Sequence, residues 1–399
     1  GTAATTTVAG EEPGALGVIE VGAGEPIKIA SLQAISGDNA SLGTDQVRAT
    51  EIAITDKGEI AGHPIELAFN EDDMCNSEGG QTGATRIIAD PQVVAVIGTS
   101  CSGAGVPASN VITSANRVLI SGSNTSPVLT SDLAGTEGPE YHQGYFRTAH
   151  NDAIQGAAAA KFVFEELGLT QVATINDGDP YTQGLTSAFE GPFEELGGTI
   201  VLSTAVTADQ TDMRPVLTEV AAAGAELVFF PIFQPAGDFI AEQALEIAGL
   251  EETVLMGADG LLSDTYVTLP QTEGMYFSGP TTPTTPEYDA FVTKYEEAYG
   301  EAPIQAFHAH AYDATNMVFT AIETVAQVDG DTLVIDLQAL RDELGSMTYN
   351  GLTGTLSCDE FGDCASPSIN ILRNTEDQAD IAAVRENVLA TYTREDLGL

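Results

Sequence analysis

The stretch Val93–Thr130, VVAVIGTSCSGAGVPASNVITSANRVLISGSNTSPVLT, decides the fold. It opens on an apolar strand-like run, Val93–Gly98. A loop of small hydroxyl residues follows, Thr99, Ser100 and Ser102 around Cys101. A helical pattern runs from about 103 to 116. A second apolar run, 118–120, ends in another hydroxyl-rich loop, 121–126. Two successive strand ends therefore carry serines and threonines where an α/β sheet offers a crevice to ligands. Ser102 falls just before the first helical turn. There its hydroxyl, the free backbone N–H groups and the positive end of the helix dipole suit a small anion such as a carboxylate. Neither hydroxyl loop carries an acid or a base, which points to holding a molecule rather than transforming it.

The same rhythm extends outward. Strand-like runs are predicted at 27–32, 65–69, 93–98, 118–121, 171–176, 199–206, 226–232, 253–257 and 275–278. Helical patterns lie near 43–57, 78–90, 103–116, 152–167, 182–196, 212–223 and 236–248. Further helices are predicted at 287–299, 304–328 and 332–344. Strands alternating with helices of this length predict parallel sheets covered on both faces. A first βα series runs to about Arg147 and a second from 152 to about 275, with the Pro/Thr-rich SGPTTPTTPEY (278–288) as a crossing. From Tyr349 the tail reads as a turn-rich hairpin, and 366–372 as another strand. Residues 1–24, rich in Gly, Ala and Thr, read as a tether. The two series show no fixed-period repeat.

Composition bounds the function. The 399 residues suffice for two domains. A net charge of −46 repels phosphate backbones and anionic lipid, which argues against a nucleic-acid partner. It fits general solubility or a salty environment. No apolar run reaches the roughly 20 residues that span a bilayer. The four cysteines allow three pairings. Cys75–Cys101 is favoured because both follow strands and can meet at one sheet end, and Cys358–Cys364 closes a short Gly-containing turn. Disulfides imply an oxidising compartment outside the cytoplasm. The cysteine spacing does not suit zinc.

Enzymatic readings find little support. There is no G-x-S-x-G elbow. His63 lies in a turn, His142 and His150 flank the expected hinge, and His308 and His310 are two apart on a helical pattern and point different ways. Gly103-x-Gly105-x-x-Ala108 has the outline of a dinucleotide fingerprint, yet no acid ends the next strand and the motif sits in the third βα turn rather than the first. No cofactor or metal is expected, and no nucleophile–base pair is visible. Asp72 and Asp73 are adjacent in an extended chain and face opposite ways. Asp259 ends the run TVLMGAD at a strand's C-terminal end, where a carboxylate can face the hydroxyl loops and bind an ammonium group. Tyr181 and Phe233 follow strands and either cap the core or form an apolar wall with one hydroxyl handle.

Beyond the individual sites, SLQAISGDNASLG (31–43), EDDMCNS (71–77), VIGTSCSG (96–103), LISGSNTSPVLT (119–130), FRTAHND (146–152), TINDGDPYTQG (174–184), MGADG (256–260) and AYDAT (311–315) follow one another in an order and spacing that resembles the solute-binding proteins of branched-chain amino acid ABC transporters, of the type I periplasmic binding protein fold. The resemblance spans nearly everything from Glu25 onward. It implies two Rossmann-like βα lobes joined by three strands: 25–147 with 279–350, and 148–278 with 351–399. A ligand is then held between them. It supports the Cys75–Cys101 pairing. It implies that Ser102 binds a ligand α-carboxylate, Thr125 the carboxylate and amine, Asn124 a backbone contact, Tyr181 a contact from the second lobe and Asp259 the α-ammonium. Leu42 and Phe233 (or Gln234) depart from the aromatic residues of leucine binders, so the side-chain end of the ligand stays open. The implied function is capture of a small amino acid or related zwitterion and delivery to a membrane permease, by a monomer outside the cytoplasmic membrane, where members of the family are often lipid-anchored. The alternatives are a ligand-sensing module of the same fold, or a binder of an amide, urea or aromatic acid.

Overall fold

The structure is a computed structural model and describes residues 14–365, 367–375 and 380–399. Two sheets dominate. The first has six strands, in the order Glu59–Ile60, His63–Asp72, Ile27–Gln33, Val93–Gly98, Val118–Ser121, Tyr145–Arg147. All its pairings are parallel except the hairpin of Glu59–Ile60 with His63–Asp72. Val93–Gly98 is buried along its whole length, which is why its sequence shows no polar alternation. The second sheet has seven strands: Val388–Thr393, Ser368–Arg373, Tyr276–Pro280, Val254–Ala258, Leu227–Phe229, Gln171–Asn176, Thr199–Ala205. Its last five are mutually parallel; Ser368–Arg373 runs antiparallel to them, and Val388–Thr393 runs antiparallel to Ser368–Arg373.

Numbered along the chain, the five main strands of each sheet share one spatial order, 2-1-3-4-5. In such a sheet the strand order reverses between the first and third strands, and the crevice for ligands opens at their carboxyl ends. In the first sheet that place is flanked by the segments after Gln33 and Gly98. In the second it is flanked by the segments after Asn176 and Phe229. These four loops contribute to the site, together with the segments after Ser121 and Ala258.

The chain crosses between the two sheets after Arg147, after Pro280 and between Cys364 and Ser368. The helix His308–Val325 and the helix Leu337–Ser346 pack under the first sheet, in one core with Ile29, Ile97 and Phe146. Leu356 and Cys364 belong to that core as well. The hairpin Thr348–Gly351 with Gly354–Ser357 and the Cys358–Cys364 disulfide therefore sit with the first sheet, and the division expected at 351 moves to the last crossing. The apolar side chains of the hairpin decide this: Tyr349 and Leu356 pack into that core, and Leu352 packs against the cluster of Ile52, Tyr288 and Phe291.

Two further expectations are corrected. Val18–Val21 forms a strand against Thr332–Asp336 rather than a tether, since Ile19 and Val21 alternate inward and are buried. Residues 1–13 of the expected tether lie outside the described residues. The helix expected over 332–344 begins only at Leu337. Before it, Leu333 and Ile335 are buried at period two, and Asp336 caps the helix by accepting from the backbone N–H groups of Gln338 and Ala339 at 2.9 Å each. The strand expected at 366–372 is present as Ser368–Arg373, with residue 366 outside the described set. Both disulfides are formed as favoured.

Candidate ligand-binding site

One cavity lies between the two sheets' loop clusters. Its walls come from the loops 38–42, 100–102 and 123–125 on one side and from Tyr181, 233–234 and 259–263 on the other. Gln305 and Phe307 close one end. It encloses about 20 Å³ of free space, on the order of a single water molecule. An amino acid enters only if the two sides part.

On the first side, Cys101 precedes the helix Ser102–Ser114 and ties it to Cys75. The Ser102 hydroxyl accepts from the backbone N–H groups of Thr125 and Ser126, at 3.3 Å each. Both contacts use its lone pairs, so its proton is free to donate into the cavity. Ser100 and Ser123 are locked from beneath. The Ser100 hydroxyl donates to Gln33 at 2.7 Å, and the Ser123 hydroxyl donates to the Ser100 carbonyl at 2.8 Å. Asp73 accepts the Ser100 N–H at 2.6 Å and the Cys75 N–H at 2.7 Å. Burial pushes its carboxyl up to about 7. Asp73 is thus an organiser of the strand ends, and Asp72 caps the neighbouring turn through the Met74 N–H at 2.8 Å.

On the second side, Asp179 and Pro180 start the helix Pro180–Glu195, with Asp179 accepting from the Tyr181 N–H at 2.8 Å. This places the Tyr181 ring in the cavity wall, tilted on Phe233 with centroids 5.1 Å apart. The Tyr181 hydroxyl donates to Asp259 at 3.1 Å and accepts from the Gly260 N–H at 3.3 Å. Asp259 also accepts from the Gln155 amide at 2.6 Å. Burial pushes the Asp259 carboxyl up to about 6, against the pull of these two donors. No Lys or Arg lines the cavity. The carboxylate thus faces it with hydrogen bonds but no cation. Behind it lies Asp152, fully buried, its carboxyl pushed up by burial and by Asp259.

The two sides also touch directly. The Ser126 hydroxyl donates to the Pro180 carbonyl at 2.7 Å, and the Asp179 carboxylate lies against Gly103 in the first turn of the opposite helix. A Cβ at Gly103 would sit 2.0 Å from that carboxylate. Glycine there permits this approach.

The structure brings Leu42, Ser102, Thr125, Tyr181, Phe233 and Asp259 to one cavity. Asn124 is not in its wall. Its amide donates to the Thr99 carbonyl at 3.0 Å and its oxygen accepts from Tyr145 at 3.2 Å, inside the first unit. Gly105 makes room for it, since a Cβ there would lie 2.5 Å from the Asn124 oxygen. The small residues of the dinucleotide-like motif serve this packing. The wall residues Asp38, Ser41, Gln305 and Phe307, and Gln155 behind Asp259, were not singled out by sequence reasoning. Gln155 lies on the helix just after FRTAHND and gives no signal of its own. Gln305 and Phe307 reach the site from over 200 residues beyond the loops they face. None of the five histidines lines the cavity: His150 stacks on Phe307 with centroids 6.1 Å apart, and burial holds His308 down at about 3. Among the described residues no group of three or more potential ligands gathers as for a metal ion, and no helix is long and apolar enough to cross a membrane.

Comparisons with known proteins agree with this architecture. The family described as "Periplasmic binding protein" matches residues 26–362. The Leu/Ile/Val-binding protein homolog 3 of Brucella melitensis is 29% identical over 352 residues, covering 87% of this chain and 91% of that protein. A leucine-, isoleucine-, valine-, threonine-, and alanine-binding protein of Pseudomonas aeruginosa is 26% identical over 350 residues, 86% of this chain and 88% of its own. Among solved structures, a leucine binding protein of Thermotoga maritima superposes with a TM-score of 0.77 at 23% identity, covering 93% of this chain and 99% of that one. A Rhodopseudomonas palustris solute binding protein in complex with 4-hydroxybenzoate gives 0.76 at 17% identity, covering 94% and 99%. With a matched span of more than three quarters of its length and the two-sheet architecture around one cleft, the chain belongs to the periplasmic binding protein family.

Proposed function

We propose that this chain is an extracytoplasmic solute-binding protein that captures a small α-amino acid or related zwitterion between two lobes and delivers it, unchanged, to an ABC transporter permease. The carrying observation is the opposition across one cavity of the Ser102 and Thr125 hydroxyls and the Asp259 carboxylate. These are complementary to the two poles of a zwitterion at its α-carbon. In this reading Ser102 and Thr125 hold the carboxylate, and the Asn124 segment contributes through its backbone only. Asp259 holds the ammonium, and Tyr181 orients Asp259. Leu42 and Phe233 cover the ligand's apolar part.

The mechanism follows from the geometry. The ligand meets the first unit's hydroxyl loops while the cleft is open. Rotation about the three crossings then brings Tyr181 and Asp259 onto it. Excluding water strengthens the charge-assisted contacts at both poles. The ligand stabilises the closed form only through the contacts it gains there. The closed surface is what a permease distinguishes from the open one. The absence of a nucleophile–base pair among the lining residues fits a non-enzymatic role, and the two disulfides fit a compartment outside the cytoplasm.

Family neighbours that bind aromatic acids suggest a second ligand class. Against it stands Asp259: an acid without an ammonium group leaves that carboxylate buried and unpaired. A sensing role is served by the same closure, and a receptor rather than permease and ATPase genes beside this one would favour it. Calorimetric titration with the α-amino acids tests the main reading directly. Saturable binding lost in Asp259→Ala supports it. Binding of benzoates with no response to any amino acid would refute it.

A further inference from the structure

Resting on the amino-acid reading above, we propose that the ligand's side chain ends in a hydrogen-bond donor, such as an amide, a hydroxyl or an ammonium, rather than in a branched aliphatic group. Besides Asp259 and the hydroxyl loops, the cavity wall contains Asp38, Asn39, Ser41, Gln305, Gln234 and Ser263. Some of their hydrogen-bonding capacity is already used. The Gln305 amide donates to the Ser41 hydroxyl at 3.0 Å. The Gln234 oxygen accepts from Ser263 at 3.1 Å, and its amide donates to Asp238 at 2.9 Å.

Part of what is left over is acceptor that no donor of the protein meets. Among the described residues, the Gln305 oxygen and the Asp38 carboxylate have no hydrogen-bond partner, although both residues line the cavity. Asn39 stands at the N-cap of the helix Ala40–Lys57, where an asparagine side chain ordinarily accepts from the backbone, yet it makes no such bond and leaves its amide to the cavity. Like charge adds to the bias. Burial raises the Asp238 carboxyl, and Asp38 contributes to that rise from the opposite side of the cleft.

An aliphatic end would cover the buried Gln305 oxygen without giving it a partner, and would offer nothing to Asp38, which is the costly way to fill a polar pocket. A donor pairs with them, while Leu42, Phe233 and Phe307 cover the methylenes of its stem. The relatives whose names give leucine, isoleucine and valine therefore do not transfer their ligand to this chain unexamined.

The test is a calorimetric competition on the purified protein with L-glutamine, L-threonine, L-lysine, L-leucine, L-isoleucine and benzoate. The expected result is that at least one donor-bearing amino acid binds tenfold or more tighter than leucine or isoleucine. The three donors tell amide, hydroxyl and ammonium apart. Gln305→Leu should narrow that ratio by about tenfold, and Asp38→Ala should weaken lysine more than threonine. Asp38 is exposed and, among the described residues, the Gln305 side chain hydrogen-bonds only to Ser41, and the unliganded melting temperature of each variant checks that it folds. Leucine or isoleucine binding as tightly as every donor overturns the inference while the amino-acid reading stands. Failure of all five amino acids overturns both.

Discussion

Gln155 donates to the Asp259 carboxylate across 2.6 Å, and the same amide reaches the Ser278 hydroxyl at 3.0 Å. One side chain, four residues into the helix after the first crossing, therefore joins the hinge region to the acid that faces the cavity. Replacing it with leucine removes a hydrogen bond to a charged group, worth about 1.5–3 kcal/mol. Amino-acid affinity in Gln155→Leu should fall by roughly 10- to 150-fold. Because Gln155 does not line the cavity, the loss should be similar for every amino acid that binds, as calorimetry across several ligands would show.

Asp259→Ala should cost more. Truncating one partner of a buried charge pair costs about 2–5 kcal/mol, roughly 30- to several-thousand-fold in affinity. The empty protein should not be weakened to match, since burial already disfavours this carboxylate's charged form. Titration and thermal melting of the same variant separate the two effects. Full affinity in Asp259→Ala would refute the ammonium assignment.

Affinity should depend on pH with a definite sign. The Asp259 carboxyl is pushed up to about 6 in the unliganded site, so below that pH it is increasingly protonated. A ligand ammonium requires the charged form, and binding must then displace a proton. Affinity should hold level above about pH 7 and fall as pH drops through 6, with proton release detectable at pH 6 by calorimetry in two buffers of different ionisation enthalpy. A flat profile between pH 5 and 8 would separate Asp259 from the ligand.

Arg147 is fully buried and holds together the loop after Val118–Ser121. It pairs with Asp363 and donates to the carbonyl of Ser126 at 2.9 Å and to the Thr130 hydroxyl at 2.6 Å. Arg147→Met leaves Asp363 buried without its cation, a loss of about 3–5 kcal/mol. Chemical denaturation should show this. Arg147→Met/Asp363→Leu together should recover much of it.

Cys101 borders the cavity and immediately precedes the helix that presents Ser102, and its bond to Cys75 closes a separation of 26 residues. Cys75→Ala/Cys101→Ala should lose about 2–4 kcal/mol of stability. Because the bond also anchors the Ser102 turn, ligand affinity should fall with it. The Cys358–Cys364 bond closes a shorter loop away from the cavity, and its removal should affect stability without touching affinity.

Much of this was readable along the chain. Nine predicted strands appear at or within a few residues of their expected places, because buried parallel strands are written as short unbroken apolar runs. The short edge strand Val388–Thr393 was missed, its alternation too weak and too exposed to stand out. Of the residues that line the cavity, Ser102, Tyr181 and Asp259 stood out along the chain because each lies at or a few residues beyond a strand's end. Asn124 was not separable from its neighbours, since a loop's sequence does not tell which of its side chains turns inward.

The sequence by itself determined the βα rhythm, the acidic surface, the absence of catalytic motifs and the kinds of side chain at each strand's end. All of these are local properties, set by periodicity and composition within a dozen residues. The tertiary structure alone decided which of those ends meet. Two sheets of the same 2-1-3-4-5 order turn the carboxyl ends of their parallel strands toward one cleft, and only that juxtaposition sets Asp259 opposite Ser102, 157 residues apart, and Gln305 beside Ser41. Proximity across such separations comes from strand order and packing, which no local spacing encodes.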